Sequence, residues 1–327
     1  MGRNRYFFAV FLMVSVLSCS CELAREAPPK GTMHLVSIGL NYRGTNVNYL
    51  NGTLNDEREI RQAFEAACNL SGKSFLGYSL VQEGGPLLPE ESYRPLYAYD
   101  PVEDPSLPTK EHILNKLASL SGILKPEDLT ICYYSGHGYD DGSLVVAPTN
   151  PLGSIFKEDG TVDSECLLTV NTLLSSLQTL AGAKLLILDS CYCGCFVQES
   201  ETSISLIEKD EYLDDAFRKF FAPGKNPASV FVLAATTKDN TSKEPKDSMH
   251  PHGYFTEALL QGLGWNEQTG NMGDMVPPAG QKGKVSADNL YSYIHSHQQI
   301  PTKGSFHYQY QHPVLTGGSR DLVLFRY

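Results

Sequence analysis

The chain has 327 residues, a formal net charge of −11, 41% hydrophobic residues and eight cysteines. That length suits one large α/β domain or two small ones with a substantial core. The acidic balance argues against a nucleic-acid groove or an anionic membrane surface as the main partner, since either favours a basic face, and it attracts cationic substrates instead. The cysteines are too few for a disulfide scaffold and include no CxxC pair of the zinc kind, so the count alone fixes no redox compartment.

At the amino terminus, Arg3 and Arg5 precede an apolar stretch from Tyr6 to Leu17. It has the size of a signal-peptide core and is too short to span a bilayer. Val16-Leu17-Ser18-Cys19 resembles a bacterial lipobox with Cys19 as the lipid-bearing residue; plain secretion with cleavage near Ser20 or Cys21 is the alternative. Residues 1–21 are therefore expected to be a signal segment and 22–32, with Pro28 and Pro29, an exposed tether. The protein is expected to be exported, as a lipoprotein anchored in a bacterial envelope or as a secreted form. Membrane contact is expected only through that lipid, and no internal repeat or transmembrane helix is visible.

The domain begins at Met33 with HLVSIGLN, an apolar run expected to be a first parallel strand. Asn55 or Asp56 is placed to cap a helix continuing through Ala67, and a strand follows around Gly77 to Val81. Glu83 to Pro108 is rich in proline, tyrosine and acid and has no clean period, which predicts a long irregular loop. Thr109 starts a helix, KEHILNKLASLSGIL, with apolar positions at helical spacing. Leu129 to Tyr134 is another short apolar run, and it ends in Ser135-Gly136-His137-Gly138.

Between Tyr139 and Gly182 lie Asp140, Asp141, Glu158, Asp159 and Asp163, acids that suggest calcium but lack the EF-hand spacing. Solvated loop acids are the preferred reading, and no cofactor is expected. The run Leu185 to Leu188 then reads as a strand buried on both faces, stopping at Asp189-Ser190-Cys191. Cys193 and Cys195 complete a CxCxC pattern. The 197–227 stretch is polar and charged, with EKDEYLDDAFRKFF as a short surface helix within it. Further strands and helices are expected at Val230 to Ala235, Phe255 to Gly262 and Val285 to His297. A glycine and proline-rich loop separates the last two helices, and HPVLTGG with DLVLF provides a last strand at the sheet edge.

Two apolar strands ending in a histidine and a cysteine bring both side chains to the carboxyl edge of a parallel sheet, where such sheets place their ligands. Neighbouring strands lie about 4.8 Å apart, so His137 and Cys191 can pair. The thiolate is the reactive species, and an imidazole beside it lowers the thiol pKa and can later protonate a leaving amine. Glycines flanking His137 admit a substrate backbone, and the amides of Gly138 and Cys191 can serve as oxyanion donors. The bland readings are a buried thiol at Cys191 and a turn histidine at His137.

SGHG followed 54 residues later by DSC resembles the caspase-like cysteine peptidases, closer to metacaspases and their bacterial relatives than to animal caspases. NGTLNDEREI from Asn51, ASVFVLAATTKDNTS from Ala228 and HGYFTEALLQGL from His252 extend the resemblance from Met33 to Tyr327. It implies a caspase-hemoglobinase-like α/β fold, with a mostly parallel central sheet flanked by helices on both faces. The implied division is a large-subunit-like part over 33–196, a linker over 197–227 that is a candidate for self-cleavage, and a small-subunit-like part over 228–327. It also implies that Asp56 and Asp189, matching acids that line the substrate pocket in metacaspases and clostripain-like relatives, receive the P1 side chain. Paired acids repel unless a cation joins them, and a guanidinium can bond both, so protein or peptide substrates with Arg, then Lys, at P1 are expected. Some metacaspases bind calcium through clustered aspartates, but Thr169, Val170 and Asn171 stand where acids would be. Two other readings remain. One is a catalytically silent binding module; the other is a thiol oxidoreductase, which requires Cys193 as much as Cys191.

Overall fold

The structure is a computed structural model, and it describes residues 31–83, 104–150, 153–191, 230–236, 241–245, 250–273, 276–301, 308–316 and 322–327. The apolar runs form β1 (Thr32–Leu40), β2 (Ser74–Gln82), β3 (Leu129–Ser135), β4 (Ala183–Asp189), β5 (Val230–Ala234) and β6 (Val314–Thr316). They make one six-stranded sheet in the order β6-β5-β4-β3-β1-β2. All pairs are parallel except β5 with β6, which closes one edge in the antiparallel sense. Every residue of β3 and all but the first of β4 are buried. Unbroken runs such as Leu185 to Leu188 suit a strand covered on both faces, and each such side chain contributes about 1.5–3 kcal/mol of burial.

Among the described residues five α-helices flank the sheet: α1 (Thr53–Ser71), α2 (Lys110–Leu120), α3 (Val170–Gln178), α4 (Tyr254–Leu263) and α5 (Ala287–His297). α4 packs against both α1 and α5, while α2 packs on α3. Strand alternation sorts the two sides. The Tyr133 hydroxyl meets Thr256 of α4, and the next residue, Tyr134, points the other way to Tyr42 and the Val145 carbonyl. This is the α/β architecture expected from the sequence.

Several local expectations shift. α1 starts at Thr53 after Gly52, so neither Asn55 nor Asp56 caps it. The Glu244 carboxylate instead accepts from the amides of Asn51 and Gly52, and the Asp56 carboxyl turns inward. Thr109 does cap α2, its hydroxyl accepting from the His112 amide, and α2 ends at Leu120 just before Ser121-Gly122. Val285 lies in a short strand, Lys284–Ser286, and Ser286 then caps α5. Of the two carboxyl-terminal runs only Val314–Thr316 joins the central sheet; Val323–Arg326 pairs with Lys284–Ser286. The Asn266 to Lys284 loop carries a small antiparallel pair, Trp265–Asn266 with Asn271–Met272. Asp159 accepts from the amide and hydroxyl of Thr161, and Asp163 caps a 3-10 turn and faces Lys157, so both acids serve their own loop.

The signal segment with Cys19, most of the Glu83 to Pro108 loop, Cys193, Cys195 and the linker with its surface helix lie outside the described residues. Among the described residues no helix is long and apolar enough to cross a membrane.

Candidate active site

Strand register brings the two sequence motifs together. Ser135 of β3 is paired with Asp189 of β4, so His137 and Cys191 each lie two residues beyond the same rung. The Gly136 amide donates to the Asp189 carbonyl at 3.2 Å and holds the chain ends side by side. A Cβ on Gly138 would lie 1.9 Å from the Cys191 carbonyl oxygen, and one on Gly136 would lie 2.6 Å from the hydroxyls of Tyr42 and Tyr134. Both positions therefore need glycine for close approach. Of the four cysteines described, Cys68, Cys132 and Cys166 are buried and burial pushes their thiols up to about 12. Cys191 is only partly buried, with Sγ 3.7 Å from the Ser242 carbonyl oxygen.

His137 is held from three directions. Its Nε2 lies 2.6 Å from the Asn48 carbonyl oxygen, which can only accept, so the proton sits on Nε2 and the lone pair of the neutral ring is on Nδ1. The His137 amide donates to the Tyr42 hydroxyl at 2.8 Å, and the Tyr42 ring packs on the imidazole with centroids 4.6 Å apart. Tyr42 in turn donates to the Val145 carbonyl oxygen and adopts a positive φ of 58°. A fully buried tyrosine in that conformation is uncommon and is fixed by its surroundings. Burial lowers the His137 imidazole below 6.5 against the opposing pull of the Asn48 carbonyl and the Glu244 charge.

Asp56 and Asp189 converge on the opposite side of the same sheet edge, on either side of Gly253. The Gly253 amide reaches the Asp56 carboxylate at 3.2 Å, and a Cβ on Gly253 would lie 2.2 Å from Asp189 Oδ2. Asp56 also accepts from the Ser135 hydroxyl at 2.8 Å and contacts His252 Nδ1 at 2.8 Å. Asp189 accepts from the Ser242 hydroxyl at 2.5 Å and from the hydroxyl and amide of Thr256 at 2.7 and 3.2 Å. Burial raises both carboxyls above the ordinary range, and Asp189 raises Asp56 further. Burial alone would lower the His252 imidazole, but Asp56, Glu267 and Glu59 more than offset it. The Asp56 and His252 pair thus holds its proton tightly.

A family model described as the caspase domain matches residues 35–302, most of the chain and the whole of this edge. The chain belongs to the caspase-domain family. That membership places it among caspase-like peptidases in general. Among solved structures it is similar to protein GSU0716 from Geobacter sulfurreducens, at 17% identity and a TM-score of 0.46, covering 89% of this chain and 95% of that one. It is also similar to caspase-1 from Spodoptera frugiperda, at 12% identity and a TM-score of 0.47, covering 90% of each chain. No curated protein matches it.

The caspase-domain fold adds residues that sequence reasoning did not single out. Tyr42 and Asn48 lie in the segment just after β1, where nothing in composition or period marks a histidine support. Ser135, Ser242, Thr256 and His252 all stand within the sequence motifs, but nothing in those motifs tells which acid each one serves. His137, Cys191 and Gly138 gather at one place, and Asp56 and Asp189 gather beside it.

Proposed function

We propose that the chain is a cysteine endopeptidase in which Cys191 is the nucleophile, His137 the general acid and base, and the Gly138 and Cys191 amides the oxyanion donors. The observation that carries this reading is the register that sets His137 and Cys191 at equal distance past Ser135 and Asp189. Nδ1 of His137 takes the thiol proton, and the thiolate adds to the scissile carbonyl carbon. The amides hold the resulting oxyanion. His137 returns the proton to the leaving amine as the C–N bond breaks, and a water deprotonated by the same imidazole then hydrolyses the thioester.

The substrate class is a peptide with Arg at P1, with Lys weaker. Asp189 is buried and its described partners, Ser242 and Thr256, are neutral donors. Asp189 Oδ1, which accepts from the Ser242 hydroxyl, has a second lone pair to offer a guanidinium, and a cation beside Asp56 and Asp189 relieves their repulsion. The same proposal includes self-cleavage within 197–227 and export through the amino-terminal segment with a lipid on Cys19.

Purified protein should hydrolyse fluorogenic peptides with Arg at P1, less well with Lys and hardly with Asp, and Cys191→Ala should be inert. Mass spectrometry should find linker fragments in wild type only. Asp189→Ala should cost about 2–5 kcal/mol on Arg peptides, a loss of well over tenfold. Equal behaviour of wild type and Cys191→Ala on every peptide would remove the enzyme reading; efficient cleavage after Asp would remove the pocket assignment.

A further inference from the structure

Next to Asp56, three side chains that the peptidase chemistry does not use meet at one point. Glu59 of α1, His250 and His252 offer one ligand atom each, and these atoms lie within 4.8 Å of one another. His252 is 3% exposed, and among the described residues its Nε2 has no hydrogen-bond partner. That nitrogen is aimed at the cluster, 3.6 Å from Glu59 Oε2 and 3.9 Å from Glu267 Oε1. His250 Nε2 contacts Glu59 Oε1, and the two imidazoles meet edge to face with centroids 5.2 Å apart. In a tetrahedral site with bonds of about 2.0–2.1 Å, ligand atoms stand about 3.3 Å apart, close to the separation already present between His252 and Glu59.

We propose that Glu59, His250 and His252 hold a divalent cation of the zinc class. Two imidazoles and one carboxylate are a donor set that zinc favours, with the fourth place left to water or to Glu267. The cation replaces the proton shared by His250 and Glu59, and it gives His252 Nε2 the partner it lacks. The outer groups are arranged for this. His252 Nδ1–H donates to the Asp56 carboxylate, the usual way a ligating histidine is oriented. The Trp265 indole N–H donates to Glu59 Oε2 at 2.9 Å. Glu257 and Glu267 add negative charge close to His252. Among the described residues one cation opposes: Arg58 Nη2 lies 3.3 Å from Glu59 Oε1, but its side chain is 43% exposed and also bonds Asn55, so it can turn outward. The site stands whether or not Asp56 receives a substrate side chain.

Trp265 is the only tryptophan of the chain, so its fluorescence reports on Glu59 directly. Titrating the purified, chelator-treated full chain with zinc chloride should change that fluorescence and reach saturation at one zinc per chain by elemental analysis. Loss of an outer partner typically weakens metal binding about 10–100-fold, so removal of a ligand in His250→Ala should weaken it at least tenfold. His250 is 44% exposed, so that variant keeps its fold, checked by circular dichroism; Asp56→Asn should weaken zinc as well. No retained zinc, or equal affinity in wild type and His250→Ala, would overturn the site. Calcium competing at equal concentration would overturn the zinc class.

Discussion

The two ends of the central sheet treat buried polar groups unequally. At the carboxyl end, Asp56, Ser135, Asp189 and Tyr42 are buried and each bonds partners from other elements. At the amino end, His34, Thr130 and Lys184 lie in register across β1, β3 and β4, on one face and fully or nearly buried. Among the described residues His34 Nδ1, Thr130 Oγ1 and Lys184 Nζ have no hydrogen-bond partner. An unpartnered buried polar atom costs about 1–3 kcal/mol, more when charged. The fold therefore bonds Asp56, Ser135, Asp189 and Tyr42 close to His137 and Cys191, although Ser190 Oγ and His252 Nε2 there also lack a partner among the described residues, and it leaves three orphaned atoms in one row at the far end.

Gly138→Ala should have the largest effect at the carboxyl end. The added methyl would meet the Cys191 carbonyl oxygen at 1.9 Å, and the obstacle is backbone, so the nucleophile's strand end must move. A displacement near 1 Å costs about 100-fold in rate. Peptidase activity should fall by that order while the thermal midpoint changes little, because the loop lies beyond the strand ladder. Activity within a few-fold of wild type would mean that the contact between the two loops does not position the reaction.

The same contrast explains what the sequence made legible. Strands β3, β4 and β5 announced themselves because parallel strands covered on both faces are unbroken apolar runs, and their ends then located His137 and Cys191. Register could not be read that way, since it depends on pairing between segments 54 residues apart. Asp56 looked like a helix cap because an acid near a helix start usually is one. Only the fold revealed that Glu244, remote in sequence, takes the Asn51 and Gly52 amides and leaves Asp56 to Ser135 and His252. Tyr42 was invisible because its role lies in a backbone conformation and three hydrogen bonds, none of which has a sequence period.

At the amino end, Lys184→Met should stabilise the protein. Methionine matches the length of the lysine stem, and replacing buried charge by packed apolar groups is often worth about 1–4 kcal/mol. Burial lowers the Lys184 ammonium from its ordinary 10.5. Between the folded value and 10.5 the unfolded chain binds more protons than the folded one, so wild-type stability rises with pH across that window. Below the folded value both states are charged and the cost is constant. Lys184→Met should remove that slope, as followed by urea unfolding at several alkaline pH values. Activity should not change, since five residue steps along the strand carry Lys184 about 16 Å from Asp189. A variant less stable than wild type at neutral pH would show that the lysine is partnered after all.

The smallest effect sharpens the other end. Neutral His137 must accept the Cys191 proton, and burial lowers its imidazole below 6.5 even though the Asn48 carbonyl and Glu244 pull the other way. The base stays competent as pH falls until it is protonated at that lowered value. The acid limb of kcat/KM for an Arg peptide should therefore lie below 6.5. Glu244→Gln keeps an acceptor for the Asn51 and Gly52 amides but removes the charge that favours imidazolium, so the limb should move further down by less than about one unit. Burial would not be the controlling influence if the limb sat above 6.5 in the wild type. A limb that moved upward in Glu244→Gln would reverse the sign of the Glu244 contribution, and the wiring around His137 would have to be read differently.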